Sequence, residues 1–78
     1  MTTTTAAATI VKAVFNGVSG PGPVSIPGLN AGDVLLRCVP SGFTNGFEPV
    51  VSADGQLQQI DIIDWSSIQI VGYFLRDV

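Results

Sequence analysis

Residues 68–75 read Ile-Gln-Ile-Val-Gly-Tyr-Phe-Leu, a pattern typical of a β-strand. Successive side chains of a β-strand point to opposite faces of the sheet. One face of this strand is apolar around a glycine, with Ile68, Ile70, Gly72 and Phe74. The opposite face is also largely apolar, with Gln69, Val71, Tyr73 and Leu75. A half-buried antiparallel strand has one apolar and one polar face, so this strand needs cover on both sides.

A second segment, residues 33–39, has the same two-sided character. Strict alternation places Val34, Leu36 and Cys38 on one face, and Leu35, Arg37 and Val39 on the other. A domain of this size has one core, so the second apolar face needs a separate cover. Either the loop at residues 40–46, which carries Phe43, folds over this face, or another subunit does.

Burial of the second apolar face against another subunit would release enough free energy to stabilise a small domain. Burying roughly 600 Å² of apolar surface per subunit, at about 25 cal/mol per Å², contributes about 15 kcal/mol before costs. Association entropy offsets much of that gain. The residues expected at such an interface are Leu35, Val39, Val71, Tyr73 and Leu75.

The rest of the chain reads as short strands separated by turns. Strands are predicted at residues 9–16, 24–26, 47–51 and 56–60, and residues 61–67 are ambiguous between a turn and a helical half-turn. In the first strand, Val11, Ala13 and Phe15 share one face, and Ile10, Lys12 and Val14 share the other. Asp54-Gly55 is a strong hairpin signal. The spacing predicts an all-β domain, a small antiparallel β-sandwich or jelly-roll-like barrel of about six to seven short strands.

Residues 1–8 differ from the rest of the chain. Four threonines are followed by three alanines, with no apolar pattern to anchor them. Two interpretations stay open: a frayed tail, or an extended arm that becomes ordered against a neighbouring subunit. We therefore divide the chain into a flexible N-terminal arm, residues 1–8, and a single β domain, residues 9–78.

Composition points to self-association. A 78-residue chain supports only a small core, and such domains usually add disulfides, a metal or a partner. Cys38 is the single cysteine and there is no histidine, so neither a disulfide within the chain nor a structural zinc site is expected. Charged residues are 12% of the chain, against about 25% in ordinary domains. A surface with so little charge suggests that part of it is covered.

The charge pattern narrows the classes of partner. The net charge is −3 with three basic residues, so the basic stripe that nucleic-acid binding needs is missing. No apolar run is long enough for a transmembrane helix. Residues 1–9 lack the basic region and apolar core of a secretory signal. A lone cysteine is consistent with synthesis in a reducing cytoplasm.

No group of residues suggests catalysis. Acid–base catalysis usually employs a histidine, or a carboxylate or lysine with a shifted pKa, and no histidine exists here. Asp61 and Asp64 lack the alternating ligands and glycine of a calcium loop, so a solvated or turn-capping pair is expected. Cys38 is expected to be a buried, inert thiol. We predict no enzyme activity, no cofactor and no metal.

Trp65 is the residue with the clearest possible binding role. A tryptophan in a loop can stack on a sugar ring or anchor an interface. It can equally cover one end of the core. Both interpretations stay open, and Trp65 joins the candidate interface residues.

The run from Val24 to Val34, Val-Ser-Ile-Pro-Gly-Leu-Asn-Ala-Gly-Asp-Val, resembles a phrase found in small β domains of tailed-phage virion proteins. In that phrase an alternating strand, a Pro-Gly turn and a Gly-Asp entry lead into the next strand. The apolar last strand, ending Tyr73-Phe74-Leu75-Arg76, is similar in style. Gly-Asp entries also occur in bacterial immunoglobulin-like and fibronectin-like domains.

Among virion proteins, a chain this short is most similar to a capsid decoration, or cement, protein. That resemblance implies a virion location on the capsid surface, a homo-oligomer, most simply a trimer, and the major capsid protein as partner. The apolar second face would form the trimer, and the arm would bridge capsomers. The alternative is a receptor- or carbohydrate-binding module of a tail fibre or baseplate, with Trp65 in the site.

Overall fold

The computed structural model describes residues 3–77, with side chains as far as Arg76. Within that range the chain forms five β-strands and one 3-10 helix. They are β1 (Ala8–Asn16), β2 (Gly22–Ser25), β3 (Val34–Val39), the 3-10 helix (Ser41–Gly46), β4 (Gln56–Gln59) and β5 (Gln69–Asp77). The prediction of a mostly β, antiparallel chain is confirmed. The described residues contain fewer strands than the six to seven expected.

The strands form two antiparallel sheets. The first sheet has the order β1-β5-β3, and the second pairs β2 with β4. β5 is the central strand of the first sheet, and it pairs with β1 from Ala8 opposite Asp77 to Asn16 opposite Gln69. Because β5 has a neighbour on each side, both of its edges are hydrogen-bonded within the sheet.

The alternation predicted for β1 and β5 is confirmed. Ala13 and Phe15 are buried, whereas Ile10, Lys12 and Val14 are exposed. In β5, Ile70 and Phe74 are fully buried. A Cβ added to Gly72 would lie 2.9 Å from the Phe74 ring and 3.1 Å from the Phe15 ring. The glycine between the two buried residues therefore makes room for the aromatic rings.

The face assignment predicted for β3 was wrong. Leu35 and Cys38 are both buried, although three positions apart, and Leu36 is 47% exposed. The cause is a register shift between Leu35 and Arg37 in the pairing with β5. A β-bulge adds one residue to a strand and reverses the alternation beyond it. Strict period-two counting therefore fails at Leu36.

Residues 47–51 do not form the predicted strand. The segment pairs with both sheets in turn: Phe47 bridges to Gln59, and Val50 bridges to Val34. The Glu48 amide donates to the Gln58 carbonyl, and the Leu35 amide donates to the Pro49 carbonyl. A segment that crosses from one sheet to the other cannot build a continuous ladder with either.

The loop predicted at residues 40–46 contains the 3-10 helix. Its Phe43 ring meets Trp65 edge-to-face, with centroids 4.7 Å apart. Phe43 packs against the core cluster. The loop therefore uses its aromatic residue to extend the core.

Both sheets contribute to one hydrophobic cluster. Its buried members are Ala13, Phe15, Val24, Ile26, Leu29, Leu35, Cys38, Phe47, Val51, Leu57, Trp65, Ile70 and Phe74. The predicted Asp54-Gly55 turn is present, since Ala53 bridges to Gln56 and Gly55 has φ +73°. Residues 3–7 are exposed and outside secondary structure. Met1 and Thr2, part of the predicted arm, and Val78 lie outside the described residues.

Candidate functional site: the outer face of the first sheet

The candidate site is the side of the first sheet that faces away from the core, called here the outer face. Residues paired directly across an antiparallel sheet share a face and lie within side-chain contact of one another. The register therefore arranges the outer face in rows. They are an apolar row (Ile10, Leu75, Val34 and Val50), a middle row (Lys12, Tyr73 and Arg37) and a second apolar row (Val14, Val71 and Val39).

The apolar side chains of the outer face are accessible. Ile10 is 55% exposed and Val14 is 54% exposed, while Val34, Val39 and Val50 lie between 37% and 45%. Val71, Tyr73 and Leu75, the outer-face residues of β5, are half-buried because side chains of β1 and β3 flank them. Phe43, which one of the two interpretations placed over this face, packs against Trp65 and the core cluster instead.

The middle row gives the outer face a positive charge. Lys12 and Arg37 lie opposite Tyr73 on its two sides. The third basic residue is occupied elsewhere: Arg76 forms a salt bridge to Asp33, with Nη2 and Oδ2 2.7 Å apart. The Arg76 hydrogen bond is the main reason that the pKa of Asp33 lies below its ordinary value. Lys12 and Arg37, the other two basic residues of the sequence, lie together on the apolar outer face.

Four of the six predicted interface residues lie on the outer face: Val39, Val71, Tyr73 and Leu75. The other two lie inside the chain, with Leu35 8% and Trp65 7% exposed. The bulge turns Leu35 inward, so it cannot contact a subunit on the outer face. The predicted interface residues did not include Ile10, Val14, Val34 and Val50, which also lie on the outer face. The alternation in β1 had placed the first two on the face opposite Ala13 and Phe15.

Trp65 covers one end of the core. Its ring lies 5.6 Å from that of Phe47 and packs edge-to-face with Phe43. A Cβ at Gly46 would overlap the far end of the indole, and a Cβ at Gly17 would lie 2.5 Å from the Trp65 Cβ. Two glycines therefore leave room for this side chain, and its ring presents no open stacking surface.

The acidic pair at residues 61 and 64 organises its own loop. The Ile63 amide donates to Asp61 Oδ1, and the Ser66 amide and hydroxyl donate to Asp64 Oδ1 at 2.9 and 2.6 Å. The Ser66 hydroxyl bond is the main cause of a lowered pKa at Asp64. Within the described part of the chain, no group of three or more potential metal ligands is found.

Cys38 is fully buried. Burial raises the pKa of its thiol, and Thr44 partly opposes the shift. A thiol with a raised pKa is a poor nucleophile at neutral pH because little thiolate is present.

No helix formed by residues 3–77 is long and apolar enough to cross a membrane. Comparison with known proteins gave no match to a family model, to a curated protein or to a solved structure.

Proposed function

We propose that this chain is a non-enzymatic structural protein of a phage virion, which binds another protein through its outer face and stabilises the capsid. The observation that carries the proposal is the uncovered apolar face of the first sheet. Exposed apolar patches rimmed by polar groups mark interaction surfaces. We choose the capsid as the place of binding because residues 24–34 resemble a run found in small β domains of virion proteins.

The proposal includes an architecture and a mechanism. The two small sheets around one core represent a reduced β-sandwich of the jelly-roll type. Copies associate through the outer face, most simply as a trimer, and the residues before β1 act as an arm toward the major capsid protein. A ligand that binds only the assembled shell shifts the equilibrium toward that shell. The capsid would therefore resist expansion and disassembly.

The alternative is a receptor- or carbohydrate-binding module of a tail fibre or baseplate. The Trp65 side chain is 7% exposed and packed between glycines, so a sugar ring cannot stack on it, and this favours the first proposal over the alternative.

The test uses Val14→Asp and Val39→Asp, two changes at exposed positions of the outer face. Each places an unpaired carboxylate in the apolar contact, which should weaken binding about 100-fold. Light scattering after size-exclusion chromatography reports self-association. Cosedimentation with shells of the major capsid protein encoded in the same genome reports capsid binding.

Gln56→Asp is the matched control, since Gln56 is an exposed strand residue of the second sheet. It should bind like the wild type. A wild-type chain that neither associates nor cosediments would overturn the proposal. So would binding that is unaffected by both outer-face variants.

A further inference from the structure

A second exposed apolar surface lies in the loop after β4. Residues 60–64, called here the tip, read Ile-Asp-Ile-Ile-Asp. Ile62 is 81% exposed, and Ile60 and Ile63 are each 57% exposed. Ile62 is thus the most exposed of the large hydrophobic side chains in residues 3–76, although isoleucine is normally buried.

The buried side chain of Gln59, which is 1% exposed, fixes the backbone of the tip. Its Nε2 donates to the carbonyls of Asp61 and Ile63 at 3.2 and 3.0 Å, and also to that of Val18 at 3.1 Å. Its Oε1 accepts from the Val18 amide at 2.9 Å. A buried polar side chain with all of its groups bonded fixes the local backbone. The exposed isoleucines are therefore presented by an ordered loop.

The segment just after the tip is bonded to the end of the first sheet. Asn16 Nδ2, at the last residue of β1, donates to the Ser66 carbonyl at 3.1 Å. The Ser66 amide and hydroxyl in turn donate to Asp64 Oδ1 of the tip, so the tip is linked to the first sheet through Ser66. An ordered surface costs less entropy on binding than a loop that must be fixed first.

The outer face and the tip together account for nearly all exposed large hydrophobic side chains. Nine such side chains are exposed among the described residues; five lie on the outer face, three on the tip, and the ninth is Leu36 at the bulge. The outer face carries Lys12 and Arg37, and the tip carries Asp61 and Asp64. The two surfaces are thus both apolar and opposite in charge.

Charge argues against two outer faces packing on each other. In such a two-fold contact the same patch meets itself. The middle rows would then bring Lys12 and Arg37 of one copy toward the same cations of the other. Like charges facing each other at an interface cost several kcal/mol in general. The partner of the outer face should instead carry carboxylates.

We propose that the tip of one copy docks on the outer face of the next copy, with Ile62 and Ile63 on the apolar rows and Asp61 and Asp64 near Lys12 and Arg37. This inference rests on the self-association in the proposed function and names its contact. The interface is head-to-tail, so it closes into a ring, such as a trimer, or continues as a filament. Each copy uses both surfaces.

The decisive experiment mixes two blocked variants. Val39→Asp blocks the outer face and leaves the tip intact, while Ile62→Asp blocks the tip and leaves the outer face intact. Both positions are exposed, so both variants should fold, which circular dichroism and protection of the Cys38 thiol verify. Each variant alone should be monomeric by light scattering. An equimolar mixture should form a heterodimer and stop there, because one intact outer face meets one intact tip.

Three further variants test the chemistry of the contact. Ile62→Leu, the matched control, should assemble like the wild type. Lys12→Glu should weaken assembly about tenfold, and Lys12→Arg should leave it unchanged. Assembly of the wild type should weaken as salt is raised, because the charges lie at a partly solvated contact.

Several results would overturn the inference. They are a wild-type chain that remains monomeric, an Ile62→Asp variant that assembles normally, or blocked variants that do not pair when mixed. Capsid cosedimentation separates these results from failure of the proposed function. If Ile62→Asp assembles and binds shells like the wild type while Val39→Asp does neither, the outer face is the binding surface and the tip contact is wrong.

Discussion

At the scale of single residues, the aromatic end of the core depends on glycine. Trp65 fits because Gly46 has no Cβ at the place where the indole ring lies. Gly46 is buried and ends the 3-10 helix. Its carbonyl accepts hydrogen bonds from the amides of Ile60 and Asp61 at 2.8 and 3.2 Å. One small residue thus positions the tryptophan and the start of the tip.

Gly46→Ala should destabilise the chain by about 2 kcal/mol, because an added methyl in a packed core forces the indole or the backbone to move. Chemical denaturation followed by tryptophan fluorescence measures the loss. Gly42→Ala, in the same helix, is the control, since no heavy atom lies within 4 Å of its added Cβ. Equal stability of Gly46→Ala and the wild type would contradict the packing described for Trp65.

At the scale of elements, the chain joins its strands through buried polar groups as well as hydrophobic contacts. Gln59 ends β4 and connects it to the segment after β1 through Val18 and to the tip through Asp61 and Ile63. Its position two residues after Leu57 places it on the inward face of β4. Alternation in the sequence indicates that burial, but not the four hydrogen bonds that satisfy it.

Gln59→Leu should cost about 3 kcal/mol. A leucine fills the space but leaves the bonded amide and carbonyls without partners in a buried site, and each such group costs about 1–3 kcal/mol. Urea denaturation gives the change in unfolding free energy. Gln58→Leu, a half-buried neighbour with no side-chain bond among the described residues, should change stability much less. A similar loss for both would show that the Gln59 bonds contribute little.

At the scale of the whole molecule, one ion pair connects distant parts of the chain. Arg76 in β5 donates to both carboxylate oxygens of Asp33 and to the carbonyl of Gly28. Asp33 also accepts from the Asn30 amide at 2.9 Å. These hydrogen bonds hold the turn before β3 against β5, the central strand of the first sheet. Folding is therefore sensitive to the charge of Asp33.

Acid should remove this stabilisation. The pKa of Asp33 is lower in the folded chain than its ordinary value of 3.8, chiefly because of the Arg76 hydrogen bond. The contribution is therefore fully present above about pH 4, and it is lost as the pH falls through the folded pKa. Thermal melts of the wild type and Asp33→Asn between about pH 2 and 7 should show a difference in Tm that narrows below about pH 4. A difference that stays constant with pH would contradict this assignment.

The amino-acid pattern predicts the β class of the fold and part of the outer face. Period-two patterns in residues 9–16 and 68–75 identified two strands and both of their faces, because strand side chains alternate regardless of context. Those faces include Val71, Tyr73 and Leu75, and the excess of apolar side chains indicated that something must cover them.

Which apolar residues remain exposed depends on contacts between distant segments of the folded chain. The bulge at Leu36 turns Leu35 into the core, residues 47–51 cross between the sheets, and Trp65 packs between two glycines. The row of Lys12, Tyr73 and Arg37 exists because of the register of three strands that are distant in the sequence. The physical reason is that register and bulges are set by long-range pairing, whereas alternation within one strand follows from local backbone geometry.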